Sequence, residues 1–298
     1  MLRLCLLSFF LLANTLHAPL AHAEPSEPRV MVDISLLKAG AKAGDAKDQY
    51  RLAHTILQKP PISQDHQRGA AWMKKSAQQG FLPAQYSMAT LHQHGQGVTK
   101  DLQQALYWWE KAAQQGHVLA QFKLGTAYMH GTGSLIDLDK AVFWLKKAAQ
   151  QDMAQAYLHL GSIQFQRTQK QQQALPYLRK AADLGLAQAQ YLFGVLYQTG
   201  KIGQKNPEQA FQWFKKAALQ AHPKAALQVA TAYRKGQGTP KDMTAALAWM
   251  EIASQLKTTQ ANFLKEVIKR DLSQEQQQAA AALEKRLMQS MGKPQKGS

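Results

Sequence analysis

The sequence is poor in cysteine, in acidic residues and in long apolar runs. One cysteine, Cys5, stands among 298 residues. That excludes an intrachain disulfide framework, a cysteine-based zinc site and an iron–sulfur cluster. Acidic residues number 19 against 36 Lys and Arg, a net charge of +17. Beyond the N-terminal segment no stretch is apolar for the roughly 20 residues that a spanning helix needs. Enzyme signatures are scarce. Gly-x-Ser-x-Gly does not occur, and no glycine-rich loop follows a strand-like run. Apolar residues still make up 45% of the chain, so it has the means to bury a core.

The N-terminus reads as an address. Met1-Leu2-Arg3 is basic, Leu4 to Leu16 is mostly apolar, and Ala21-His22-Ala23 is a small-x-small site before Glu24. This is the layout of a secretory signal peptide cleaved after Ala23. Cleavage would also remove Cys5. The expected location is periplasmic or secreted.

Two residue types stand out, one by number and one by spacing. Glutamine occurs 40 times, about 13% of the chain, and tryptophan recurs at even intervals. Six segments end alike, from Trp72-Met-Lys-Lys-Ser-Ala-Gln-Gln-Gly80 to Trp249-Met-Glu-Ile-Ala-Ser-Gln-Leu-Lys257. Their aromatics at 72, 108, 144, 177, 213 and 249 are spaced by 36, 36, 33, 36 and 36, and five of the six are Trp. A fixed period of this size signals a solenoid of stacked helix pairs.

Each unit reads as helix A, a turn and helix B. Helix A carries an apolar stripe, such as Ala120, Phe122, Leu124, Gly125 and Tyr128. One small residue recurs on it: Ala53, Ala89, Gly125, Gly161, Gly194 or Ala230. Glycine within a helix costs roughly 1 kcal/mol against alanine, so its use is close approach of the partner helix. Helix A ends at Gly95, Gly131, Gly200 or Gly236, where glycine tolerates the left-handed conformation. Asp65, Asp101, Asp137, Asn206 and Asp242 are predicted to cap helix B. The tryptophans sit at one register beside the Ala-Ala pair and are predicted core. The fourth unit is irregular, with Tyr177 for Trp and a Gln-rich connection from Gln166 to Gln173.

These residues resemble the Sel1-like repeat, a relative of the tetratricopeptide repeat. The third unit carries Ala120, Leu124, Gly125, Tyr128, Gly131, Gly133, Asp137, Lys140, Ala141, Trp144, Lys147, Ala148 and Ala149 at the family's pattern positions. Departures are His92 at a Tyr position and Pro60-Pro61 in place of the first glycine turn. The resemblance implies an all-α fold, a right-handed α/α superhelical solenoid. The expected organisation is a signal peptide (1–23) and an N-terminal segment with a short helix (24–44). Six repeats follow at 45–80, 81–116, 117–152, 153–185, 186–221 and 222–257. Capping helices (258–290) and a disordered tail (291–298) close the chain. Ile34 to Ala43 reads as a solitary helix B, with Leu36 falling 36 before Trp72. Ser273 and Gln276 form a capping box before an Ala-rich helix ending near Ser290.

For function, the resemblance implies a non-enzymatic scaffold that binds a protein or peptide, as family members act as adaptors. Solenoids present a concave surface lined by helix A. On that face the sequence places Lys123, Thr126 and His130, then His159, Ser162 and Gln166. Leu192, Val195 and Thr199 follow, then Gln228, Thr231 and Lys235. Leu192 and Val195 are apolar in a polar row; either they anchor a partner or a shifted stack buries them. His92-Gln93-His94 lacks convergent acidic ligands, so no metal and no cofactor are expected. The pairs Lys74-Lys75, Lys146-Lys147 and Lys215-Lys216, with Arg179-Lys180, form a basic stripe. It suits a solvated outer face, or attraction to an anionic envelope polymer such as peptidoglycan or polysaccharide, or to a lipid surface. The leader argues against nucleic acid. Cysteine-rich family members are described as weak β-lactamases or penicillin binders, but this chain lacks their repeat cysteines.

Overall fold

A computed structural model describes residues 34–58, 63–168 and 171–291. The signal peptide, Cys5, Pro60-Pro61, residues 169–170 of the fourth connection and the tail from 292 lie outside them. The described residues form helices and turns without a strand. The chain divides into two compact units, Met1–Gln151 and Asp152–Ser298.

In the first unit, α1 (Ile34–Ala43) precedes three helix pairs. They are α2 (Ala46–Leu57) with α3 (Ser63–Gln78), α4 (Leu82–His94) with α5 (Leu102–Gln114), and α6 (Val118–His130) with α7 (Leu138–Ala149). Within this unit each helix packs on the one that follows it in sequence. The core joins Met73, Met88, Trp108, Trp109, Leu124 and Trp144 with a run of alanines. In α1 the expected helix forms, but Leu36 is 70% exposed while Leu37 and Ala41 are buried. Leu37 and Ala41 match Met73 and Ala77 one period on, and both of those are buried in α3.

The second unit holds α8 (Ala154–Thr168) with α9 (Gln171–Asp183), α10 (Ala187–Thr199) with α11 (Pro207–Ala218), and α12 (Pro223–Lys235) with α13 (Met243–Gln255). Two closing helices, α14 (Thr259–Arg270) and α15 (Gln274–Ser290), both pack on α13. The Ser273–Gln276 capping box is formed. Glu251 of α13 bridges to Lys265 at 3.3 Å and Lys269 at 2.7 Å, tying α14 down.

Local chemistry sets these boundaries. Gly95, Gly131, Gly200 and Gly236 end their helices with φ between 67° and 75°. Asp101, Asp137, Asn206 and Asp242 accept backbone N–H bonds as N-caps. Asp65 departs from its prediction. It lies inside the first turn of α3 and pairs with Arg68 at 3.4 Å. The recurrent small residue of helix A does permit close approach. A Cβ on Gly125 would lie 2.7 Å from Leu145, and one on Gly194 would lie 2.4 Å from Phe214. Trp108, Trp144, Trp213 and Trp249 are buried, while Trp72 and Tyr177 are half-buried.

The glutamine excess has a structural use. Gln49, Gln85 and Gln121 in the first unit, and Gln190 in the second, occupy the same place in the first turn of helix A. Each is buried. Each Nε2 donates to a carbonyl at the end of the preceding helix: Ala41, Ala77, Ala113 and Ala182, at 3.1 to 3.3 Å. Each Oε1 accepts from the glutamine that ends its own helix B: Gln79, Gln115, Gln151 and Gln220, at 2.7 to 3.0 Å. Helix ends leave carbonyls without intrahelical partners, and this clasp supplies one. Tyr157 and Ala226 hold the equivalent places in the fourth and sixth units, where the clasp is not made.

Candidate partner-binding surface

The predicted row is described unit by unit. In the first unit, Lys123 and Thr126 of α6 are half-buried and His130 is exposed at the helix end. Partial desolvation lowers the His130 imidazole below its ordinary value. In the second unit, His159 and Ser162 of α8 are half-buried and Gln166 is exposed. On α10, Leu192 is 8% exposed and belongs to the packed interior, whereas Val195 is half-buried and Thr199 exposed. On α12, Gln228 and Thr231 are half-buried and Lys235 is exposed.

The threonines of this row are less free than their exposure suggests. Thr126, Thr199 and Thr231 each donate their hydroxyl to the carbonyl four residues back, at 2.7 to 2.9 Å. They can still accept, but their proton is used. Val195 replaces Thr at the position shared with Thr90, Thr126 and Thr231, and offers only methyls.

The structure brings Gln228 and Thr231 together with residues that the sequence did not single out. A cleft of about 210 Å³ opens where α10, α11 and α12 meet. Phe211 and Phe214, both buried, form its apolar depth. Gln198, Lys205, Gln228 and Gln237 stand at its more exposed edge. The Gln198 Nε2 donates to Gln228 Oε1 at 3.3 Å. The lining contains a lysine and no carboxylate. Such a site offers an apolar seat, amide donors and acceptors, and one cation. That combination suits a peptide side chain with its backbone, or a carboxylate.

Two histidines have a structural role that sequence reasoning missed. His117 and His222 are N-caps of α6 and α12; each Nδ1 accepts a backbone N–H three residues on, from Ala120 at 3.1 Å and Ala225 at 3.2 Å. His117 stacks on Tyr86 and His222 on Tyr191, with ring centroids 4.5 and 4.7 Å apart. Because Nδ1 of His222 accepts, Nε2 carries the proton and donates to Gln188 Oε1 at 3.1 Å. Burial, then the neighbouring Lys224, lowers the His222 pKa to about 4. The signal for this role is position: both histidines stand one residue before a helix A.

The basic residues lie over aromatic rings. Lys75 sits 4.4 Å from the Trp72 ring centroid, Lys147 5.2 Å from Phe143 and Lys216 4.9 Å from Trp213. Arg179 lies over both Phe193 and Trp213. Among the described residues no cluster of three His, Cys, Asp or Glu could hold a metal. Among them, too, no helix is long and apolar enough to cross a membrane.

Comparison with known proteins gives the same architecture. The model of the Sel1 repeat matches six times, at residues 46–81, 82–117, 118–153, 152–186, 187–222 and 223–257. A solved protective antigen of uropathogenic Escherichia coli, displaying an SLR fold, is 28% identical with a TM-score of 0.71. That match covers 87% of this chain and 56% of the other, so this chain spans little more than half of that antigen. A Sel1 repeat protein from Oxalobacter formigenes is 24% identical, with a TM-score of 0.61, over 84% of this chain and 99% of that one. Sel1 repeats typically bind proteins and are generally non-enzymatic scaffolds. With six repeats in register and an all-helical solenoid fold, the chain belongs to the Sel1 repeat family.

Proposed function

We propose that this protein is a periplasmic or secreted scaffold that binds a protein or peptide along the helix-A row. The observation that carries this reading is the cleft between α10, α11 and α12. It joins two residues of the row, Gln228 and Thr231, to an apolar depth and a cationic edge. Val195 and Lys235 extend the same row in the second unit. Lys123, His130 and His159 are further contact points along the chain. Leu192 contributes by holding α10 in place, because its side chain is buried. Location outside the cytoplasm rests on the leader-like layout of residues 1–23.

The test is site-specific photo-crosslinking in the native cell. A photoreactive residue at Thr231 or Lys235 is expected to capture a defined protein, and one at Gln209, exposed on α11 but not lining the cleft, to capture none. Equal capture from all three positions would reject the row as the binding face. N-terminal sequencing of the accumulated product is expected to begin at Glu24. A product that retains Met1 in the cytoplasmic fraction would reject the location.

A further inference from the structure

In the first unit a different surface carries exposed apolar side chains. Leu135 is 90% exposed and Ile136 65%, side by side in the α6–α7 turn. Phe143 of α7 is 53% exposed, and Tyr107, its equivalent one period earlier on α5, is 48% exposed. The repeat itself does not require apolar residues in that turn. The two residues before the helix-B cap are Thr99-Lys100 in the second unit, Gln204-Lys205 in the fifth and Pro240-Lys241 in the sixth. Only the third puts Leu-Ile there.

Cations accompany the rings. Lys111 lies 5.5 Å from the Tyr107 centroid and Lys147 5.2 Å from Phe143. Lys74, Lys75 and Lys146 are exposed on the same set of B helices. Of the acidic residues there, Asp65 and Asp137 bridge to Arg68 and Lys140, and Asp101, Glu110 and Asp139 complete the set.

We propose that this helix-B face of the first unit docks on an anionic lipid surface, with Leu135 and Ile136 entering the headgroup region. An apolar dipeptide held in water gains free energy when a partner dehydrates it. Aromatic rings with an apolar body suit the membrane interface, and lysines beside them meet lipid phosphates while their stems stay apolar. A soluble polyanionic glycan matches the lysines but leaves Leu135 and Ile136 without a role. The ammonium groups also cover ring faces on which a sugar would stack.

The test is sedimentation of the full chain with vesicles of phosphatidylcholine, with or without about one-third phosphatidylglycerol. Three proteins are compared: wild type, Leu135→Asp/Ile136→Asp and Lys111→Glu/Lys147→Glu. All share the N-terminal apolar run, so the differences isolate this face. Far-UV circular dichroism establishes that the surface changes leave the helices intact. Wild type is expected to bind the anionic vesicles preferentially, and each double variant at least about tenfold more weakly. Raising the salt is expected to release the wild type. Equal binding by all three proteins, or equal binding to both vesicle types, would overturn the proposal. So would heparin retention that depends on the lysines with vesicle binding that ignores Leu135 and Ile136, an outcome that assigns the face to a polyanion.

Discussion

Replacing Gln121 by glutamate keeps the shape of the side chain and removes its donor. The wild-type carboxamide is 4% exposed, donates to Ala113 O at 3.1 Å and accepts from Gln151 at 3.0 Å. A carboxylate there still accepts from Gln151, but its other oxygen faces the Ala113 carbonyl with no proton between them. The lost bond costs about 1 kcal/mol, and burying an acceptor against an acceptor adds about 1–3 kcal/mol. The N-terminus of α6 returns up to about 1 kcal/mol, because it favours negative charge. The expected net loss at neutral pH is therefore about 1–4 kcal/mol. A protonated glutamic acid restores the donor. The folded state then holds its proton more tightly than the unfolded state, so the folded pKa is raised. Below about pH 4.3, the unfolded value, the variant should approach wild type. The deficit opens as pH rises through the folded pKa. Gln121→Leu supplies the contrast, since its cost has no such pH dependence. Urea denaturation followed by circular dichroism, each variant against wild type near pH 4 and near pH 8, reads both effects. A Gln121→Glu deficit equal at the two pH values, or absent at both, would refute the clasp as a stabilising contact.

Other predictions concern backbone and packing. The last residue of every repeat is left-handed: Gly80, Gly116 and Gly185, but also Asp152, Ala221 and Lys257 with φ of 57°, 61° and 62°. Ala221→Gly should stabilise by about 0.5–1 kcal/mol, since the relief of a left-handed alanine exceeds the entropy cost of glycine; a lower melting temperature would contradict this. His222 is held neutral in the fold, so the unfolded chain binds more protons between pH 6.5 and about 4. Stability should fall as pH drops through that window, by up to about 3 kcal/mol, and His222→Asn, a cap that does not titrate, should flatten the fall. Gly194→Ala gains up to about 1 kcal/mol of helix propensity but forces a Cβ against buried Phe214 at about 1–3 kcal/mol. Thermal melting should show net destabilisation, and a more stable variant would mean that Phe214 can move aside.

The repeat period, the pairing of helices and most caps were legible because each depends on residues close in sequence. Gly95 and Asp101 mark a helix end and a helix start whatever surrounds them. The glutamine clasp was not legible, although the Gln-Gln ends of helix B were visible. Gln85 and Gln115 are 30 residues apart, and their link depends on which helix-end carbonyl, Ala77 O, stands between the helices. Asp65 misled because an acidic residue inside a first turn is as favourable as one at the cap. Leu36 keeps the register of Trp72 but is exposed, and the buried side of α1 is set by Leu37 and Ala41, which keep the register of Met73 and Ala77. The candidate cleft was half legible. Gln228 and Thr231 follow from helix geometry, whereas Lys205 enters from the turn that joins α10 to α11 and Phe211 from α11 itself.

The central claim is that the helix-A row of the second unit, with its cleft, holds the partner. The most direct measurement is the affinity of the protein captured from position 231 for wild type and for Lys205→Glu/Gln228→Arg. Lys205 is exposed and Gln228 half-buried at the cleft edge, and circular dichroism is expected to show unchanged helical content. The account predicts binding at least about tenfold weaker, the loss of one good charge-assisted contact. Unchanged affinity in a folded variant would contradict it.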